Sequence, residues 1–225
     1  MLKIIKHIYQ DYQIPPNWQE HMVFTASLGK IICQNWVKEK FNQDLVVTAL
    51  LLHDIGNIVK FNLEPGAPNL LMDQDKINYW RQVQKKFRKK YGLRADQANL
   101  AIIEELRPHP KIKKIMEEHY FEFIPKINER EKDWESKIVF YCDLRFDPAG
   151  ITSIKDRIKD LQNRYKDRDD TWRDQKKFRS RVNNCLQLEK QLNQLTTIDL
   201  EKISQDEIDQ LAEKLYNKKI KLDLY

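Results

Sequence analysis

Glycine is scarce, with five in 225 residues. There is accordingly no Walker loop, no dinucleotide-binding GxGxxG and no GxSxG nucleophile elbow, each of which needs glycines at fixed places for close backbone approach. Three large enzyme classes are therefore not expected. Cysteine is scarcer still: Cys33, Cys142 and Cys185 are far apart, odd in number and form no CxxC. They read as reduced, mostly buried thiols of a cytoplasmic protein, and not as a disulfide scaffold or a cysteine zinc site. Long hydrophobic runs are missing as well. The longest, residues 45–52, is far short of the ~20 residues that span a bilayer. The first ten residues have no apolar stretch followed by a small-residue cleavage site, so neither a signal peptide nor a membrane partner is expected.

Charge is plentiful, at 33% of residues against 41% apolar, which suits helices with heavily charged outer faces. The net charge of +6 is unevenly placed: residues 76–94 hold eight Lys and Arg and no Asp or Glu, so the remainder sums to −2. Such a run attracts phosphates, nucleotides or nucleic acid. Its interleaved Tyr79, Trp80, Phe87 and Tyr91 suit stacking on bases. The other reading is an amphipathic helix with core aromatics and solvated lysines.

Hydrophobic periodicity predicts an all-α chain. Asn17 to Glu20 after Pro15-Pro16 reads as a capping box opening a helix to about residue 40. On that helix His21, Thr25, Leu28 and Ile32 share one face. Asp44 is expected to cap a second helix, apolar all round and therefore central, that ends at His53-Asp54 before Gly56-Asn57. A loop is expected over 63–71. Helices are expected over 73–91, 96–106, 110–123 and 129–146, and from Thr152 or Ser153 to about 168. A second capping box at Ser204 to Glu207 opens a last helix to about 216. Residues 1–168 read as one helical-bundle domain and 169–225 as a helical extension packing on it.

Four residues stand out chemically. His21, the pair His53-Asp54 and Asp143 come from three expected helices and lie amid apolar neighbours. Burying a His-Asp pair is costly unless both groups are partnered. A divalent cation resolves this, because two imidazoles and two carboxylates suit Mn²⁺, Fe²⁺, Ni²⁺, Co²⁺ or Zn²⁺, with Mg²⁺ a further candidate, and leave positions for water and substrate. Without an ion, His53-Asp54 would be a cap network, His21 a core histidine, and Asp143 a partner of Arg145 or Arg107.

The order and context of these residues resemble the signature of the HD-domain metal-dependent phosphohydrolases. HMVFTASLGKII is similar to the family's first-ligand helix, LLLHDIGN to its apolar helix ending in the HD pair, and FYCDLRFDP to its last-ligand helix. The resemblance implies an all-α domain that binds one divalent metal ion through His21, His53, Asp54 and Asp143. It makes Asp54 the catalytic residue, which orients the attacking water or accepts its proton. It implies hydrolysis of a phosphomonoester or phosphoanhydride in a nucleotide or related small phosphorylated metabolite. Many relatives have Lys or Glu soon after the HD pair; here Asn57 stands there, with Lys60 one turn on. Lys60 is read as a substrate-binding residue or a solvated lysine. Arg145 is read as a phosphate contact or a partner of Asp147. His119 either approaches the site or serves in packing. The rival reading is a nucleic-acid-binding or regulatory module on a catalytically inactive HD domain, and an oligomer is possible on either.

Overall fold

The apolar run at 45–52 becomes the centre of the structure, a computed structural model that describes residues 1–64, 74–166 and 170–222. A short strand β1 (Leu2–Ile4) leads into α1 (Ile5–Asp11), followed by α2 (Pro16–Gln34) and α3 (Gln43–Leu52). Every side chain of α3 from Leu45 to Leu52 is buried, as a helix apolar all round must be. Then come α4 (Ile77–Tyr91), α5 (Ala95–Leu106), α6 (Pro110–Glu117), α7 (Ile124–Glu129) and α8 (Trp134–Leu144). The two-residue strands β2 (Phe146–Asp147) and β3 (Gly150–Ile151) make a small hairpin. The chain continues through α9 (Ile154–Tyr165), α10 (Asp170–Arg173), α11 (Gln175–Asn193), α12 (Gln205–Tyr216) and β4 (Lys219–Lys221). The fold is all-α, and its two strand pairs are minor.

The helices α2, α3 and α8 pack against one another. Gly29 sets how closely α2 approaches α3: a Cβ there would lie 2.5 Å from Leu50 Cδ1 and 3.4 Å from Val46 Cγ1. The last helices join the same core. The buried apolar cluster runs from Ile5 to Leu222, α12 packs on α2, α11 packs on α7, α8 and α9, and β4 pairs antiparallel with β1. All three cysteines are buried free thiols. Among the described residues, no helix is long and apolar enough to cross a membrane.

Several boundaries differ from those expected. Pro16 sits in the first turn of α2 behind Pro15 as N-cap, so the helix starts ahead of the Asn17–Glu20 capping box, which does not form. The same helix stops at Gln34, where strand-like bonds take over the backbone: Val37 N–H donates to Leu195 O and Thr197 N–H to Asn35 O, both at 2.9 Å. Asn42 caps α3 by accepting from Leu45 N at 3.0 Å, and Asp44 pairs with Lys218 instead. The segment expected as helix 110–123 breaks at Glu117, and α8 begins at Trp134 after a left-handed Lys132 (φ 59°). The expected loop over 63–71, the start of the helix at 73 and the end of another at 168 fall partly or wholly outside the described residues. The Ser204 capping box forms as read.

The basic run forms α4, an amphipathic helix. Trp80, Val83 and Phe87 are buried, while Lys85, Lys86 and Lys89 are exposed. Its inner polar groups brace the segment after the HD pair: Gln84 Nε2 donates to Ile58 O at 2.7 Å, and Arg88 Nε to Val59 O at 2.8 Å.

Candidate metal centre

Three helices deliver the central groups to one point. His21 lies in the second turn of α2, His53 is the first residue past α3, and Asp143 is near the end of α8. The Nε2 atoms of His21 and His53 are 3.3 Å apart, and Asp143 Oδ1 is 3.2 Å from the first and 3.4 Å from the second. These edges suit a single ion. Ligands at about 2.1 Å from a metal stand roughly 3.0–3.4 Å apart between right-angle and tetrahedral arrangements. Two imidazole nitrogens facing one carboxylate oxygen also form a donor set for a divalent transition metal, and the cluster could hold one.

The neighbours orient this triangle. His53 Nδ1 is 2.7 Å from Leu50 O, which can only accept, so Nδ1 carries a proton and Nε2 is turned to the cluster. His119 Nε2 is 3.1 Å from Asp143 Oδ2, the carboxylate oxygen the triangle leaves over. His119 therefore belongs to the site, in the turn where α6 has ended. Asp54 stands just off the triangle, its Oδ2 3.8 Å from His21 Nε2 and 3.9 Å from His53 Nε2. Asn57 is buried, with a side-chain Nδ2 that has no hydrogen-bond partner among the described residues; Asn99 Nδ2 lies 3.4 Å from its Oδ1. The packing here is tight: a Cβ on Gly56 would come within 2.7–2.8 Å of the α5 backbone at Ala98 and Asn99.

A family model described as HD domain matches residues 18–145, more than half of the chain and a span that contains the whole triangle. The chain belongs to the HD-domain family. This superfamily is one of metal-dependent phosphohydrolases that bind divalent metals, so the donor set and the family agree. No curated protein and no solved structure matches the chain.

The HD-domain cluster opens into a cavity of about 860 Å³. Lys60 is exposed at its lining, and its charge acts on Asp54. Arg145 is not in the cavity, which corrects its reading as a phosphate contact. Its guanidinium is buried and donates to Thr152 O at 2.6 Å and to Tyr141 Oη and Leu200 O at 2.5 Å each. Its carboxylate partner is Glu189 at 3.9 Å, not Asp147. Sequence reasoning also passed over Arg157, Arg164 and Arg181, which line the same cavity. The available signal was the spacing of Arg157, Leu161 and Arg164 on one face of α9.

Charges in the cluster are strongly linked. Burial works against a charged His53, but the carboxylates of Asp54 and Asp143 outweigh it and push its pKa up to about 9. Burial likewise opposes ionised Asp143, yet hydrogen bonds from His119, His21 and His53 hold its carboxyl well below the usual range. Asp54 is held low against burial by His53 and then Lys60. In the metal-free protein, His53 contributes stability fully below its unfolded value of 6.5 and loses it as pH rises through about 9. The two aspartates contribute above the ordinary carboxylate range and lose it in acid. A metal ion must displace the His53 Nε2 proton, which reverses the trend. Chelator-treated protein should therefore lose melting temperature from pH 6.5 to 9, whereas metal-loaded protein should gain it relative to the metal-free form. Melting curves on the two forms check this, and a flat metal-free profile over that interval would contradict it.

Proposed function

We propose that the protein is a cytoplasmic, metal-dependent hydrolase of phosphomonoesters or phosphoanhydrides in nucleotides or related small phosphorylated metabolites. The observation that carries this reading is the opening of the His21–His53–Asp143 triangle into a cavity of about 860 Å³, within the usual range for a small-molecule site. Aromatic side chains such as Phe24, Phe140 and Phe146 share that lining with the polar cluster, which favours a ligand with both a ring and a phosphate.

A divalent ion, when bound, lowers the pKa of water and polarises phosphoryl oxygens. His21, His53 and Asp143 would hold it, with Asp54 as the fourth ligand and second carboxylate. The rest of the chemistry belongs to the chain. Asp54 would orient the attacking water and accept its proton, a role supported by its lowered pKa and its position slightly off the triangle. Asn57 cannot act as a base, and its side chain is buried beside the cluster. Lys60 offers positive charge at the cavity lining for the developing negative charge. His119 fixes the free oxygen of Asp143 and so keeps the other oxygen on the triangle.

The test is phosphate release across a nucleotide panel with Mn²⁺, Co²⁺ or Ni²⁺ supplied. We expect turnover of at least one nucleotide and its loss with a chelator. The exposed lysines of α4 favour a second reading, nucleic-acid binding on a catalytically inactive HD domain. Tight, salt-resistant RNA or DNA binding by metal-free protein, with no phosphate release from any nucleotide, would select it.

A further inference from the structure

The HD match ends at residue 145, yet residues beyond that limit also line the cavity. Arg157 and Arg164 stand on α9, and Arg181 on α11. The first two are short of counter-charge. Arg157 Nη1 donates to Asp160 Oδ2 at 3.0 Å and Arg164 Nη2 donates to the same oxygen, so two guanidinium groups share one carboxylate oxygen. Their side chains are only 14% and 30% exposed. The Nε–H of each is buried and meets no acceptor among the described residues. A buried cation keeps its charge only by paying in desolvation, so two of them around one carboxylate leave capacity for another anion.

Arg181 is arranged differently: its Nη2 donates to Glu122 Oε1 at 3.4 Å, and its guanidinium stacks on rings. Its guanidinium carbon lies 4.2 Å from the centre of the Trp172 ring and 5.5 Å from that of Phe121. Tyr165 lies nearly parallel to Trp172, at 6.4 Å and 29°. Stacking holds the planar guanidinium in one orientation, which reduces what is lost when it binds. A run of ring contacts joins this group to the metal cluster. It passes from His119 to Phe140 at 5.0 Å, on to Phe121 at 6.0 Å and to Trp172 at 5.3 Å. The arginines and the triangle thus share one cavity with aromatic surface between them.

We propose that Arg157, Arg164 and Arg181 form a second anion subsite that binds a phosphate of the substrate other than the one being hydrolysed. The substrate class is then a nucleoside carrying two separated phosphate groups, its ring against the aromatic surface. Guanidinium forks match pairs of phosphate oxygens, and these three arginines line the cavity. This rests on the phosphohydrolase reading for the role of the first phosphate. The subsite itself acts by charge and hydrogen bonding and needs no metal.

Calorimetry on the full chain tests it, with adenosine 3′,5′-bisphosphate and adenosine 5′-monophosphate as probes at 0.15 M salt, where distant surface charges are largely screened. Manganese-loaded wild type should bind the bisphosphate at least tenfold more tightly than the monophosphate. The double variant Arg157→Gln/Arg164→Gln should bring that ratio near one while monophosphate affinity and metal content stay unchanged. Arg181→Gln, which leaves the α9 pair intact, should narrow the ratio several-fold. Arg157→Lys/Arg164→Lys keeps the charges without the forks and should recover part of the preference, and it decides the matter should the glutamine pair not fold. Equal affinities in wild type would overturn the proposal, as would a glutamine or lysine pair that melts like wild type and keeps the full ratio. Failure of the hydrolase reading looks different: no phosphate release and no metal uptake, with chelator-treated protein still binding pyrophosphate in an Arg157- and Arg164-dependent way. That result would support the subsite.

Discussion

Asp54→Asn should lower turnover by roughly 10²–10⁴-fold, the range general-base catalysis typically supplies, while leaving the melting temperature close to wild type. The amide has nearly the carboxylate's shape but cannot accept a proton. Asp54 is also the member of the cluster that stands off the triangle, at 3.8–3.9 Å from the imidazole nitrogens. Its loss should therefore be felt more in kcat than in folding. Phosphate-release kinetics on the nucleotide that wild type hydrolyses best, with metal content measured in parallel, check this. Turnover within tenfold of wild type would remove Asp54 from the chemistry.

Arg145→Ala should act in the opposite way, on stability and not on substrate binding. Removing the guanidinium strips donors from the Thr152 and Leu200 carbonyls and from Tyr141, and leaves Glu189 facing a buried void. Burial already makes the Glu189 carboxyl harder to ionise, despite Tyr141 and Arg145 beside it. Breaking such a buried pair from one side costs about 3–5 kcal/mol. For a chain of 225 residues that is a fall in melting temperature of roughly 10 °C. The KM of whatever protein remains folded should stay within about twofold. An unchanged melt together with a raised KM would return Arg145 to the substrate.

These two residues show what was legible in the sequence. His21, His53, Asp54 and Asp143 could be read because each is a polar residue in an apolar context, and burying such groups requires a partner. Arg145 has the same kind of context, but its partners are Thr152, Leu200 and Glu189, up to 55 residues away, and no local pattern announces them. His119 depended on where α6 stops. Extended to 123, that helix would have kept His119 as one more helical histidine, whereas its end at Glu117 frees the turn that reaches Asp143. The early end of α2 has a similar cause, since its competitor is a backbone pairing with residues 195–197. The central helix was the easiest element to place, because a run as apolar as 45–52 has no other position in a helical fold. Its cap was not, because Asn42 and Asp44 are both good N-cap residues and only the Lys218 contact separates them.

The central claim is that the His21–His53–Asp143 triangle, with Asp54 beside it, is a metal site. Elemental analysis tests it most directly, on protein loaded with Mn²⁺ and then desalted, comparing wild type with His53→Ala and Asp143→Ala. The account predicts about one equivalent of metal per wild-type chain and less than roughly a tenth of that in each variant, with helical circular dichroism retained, because either change leaves two of the three close donors. Wild type that retains no divalent metal, or folded variants that retain as much as wild type, would contradict it.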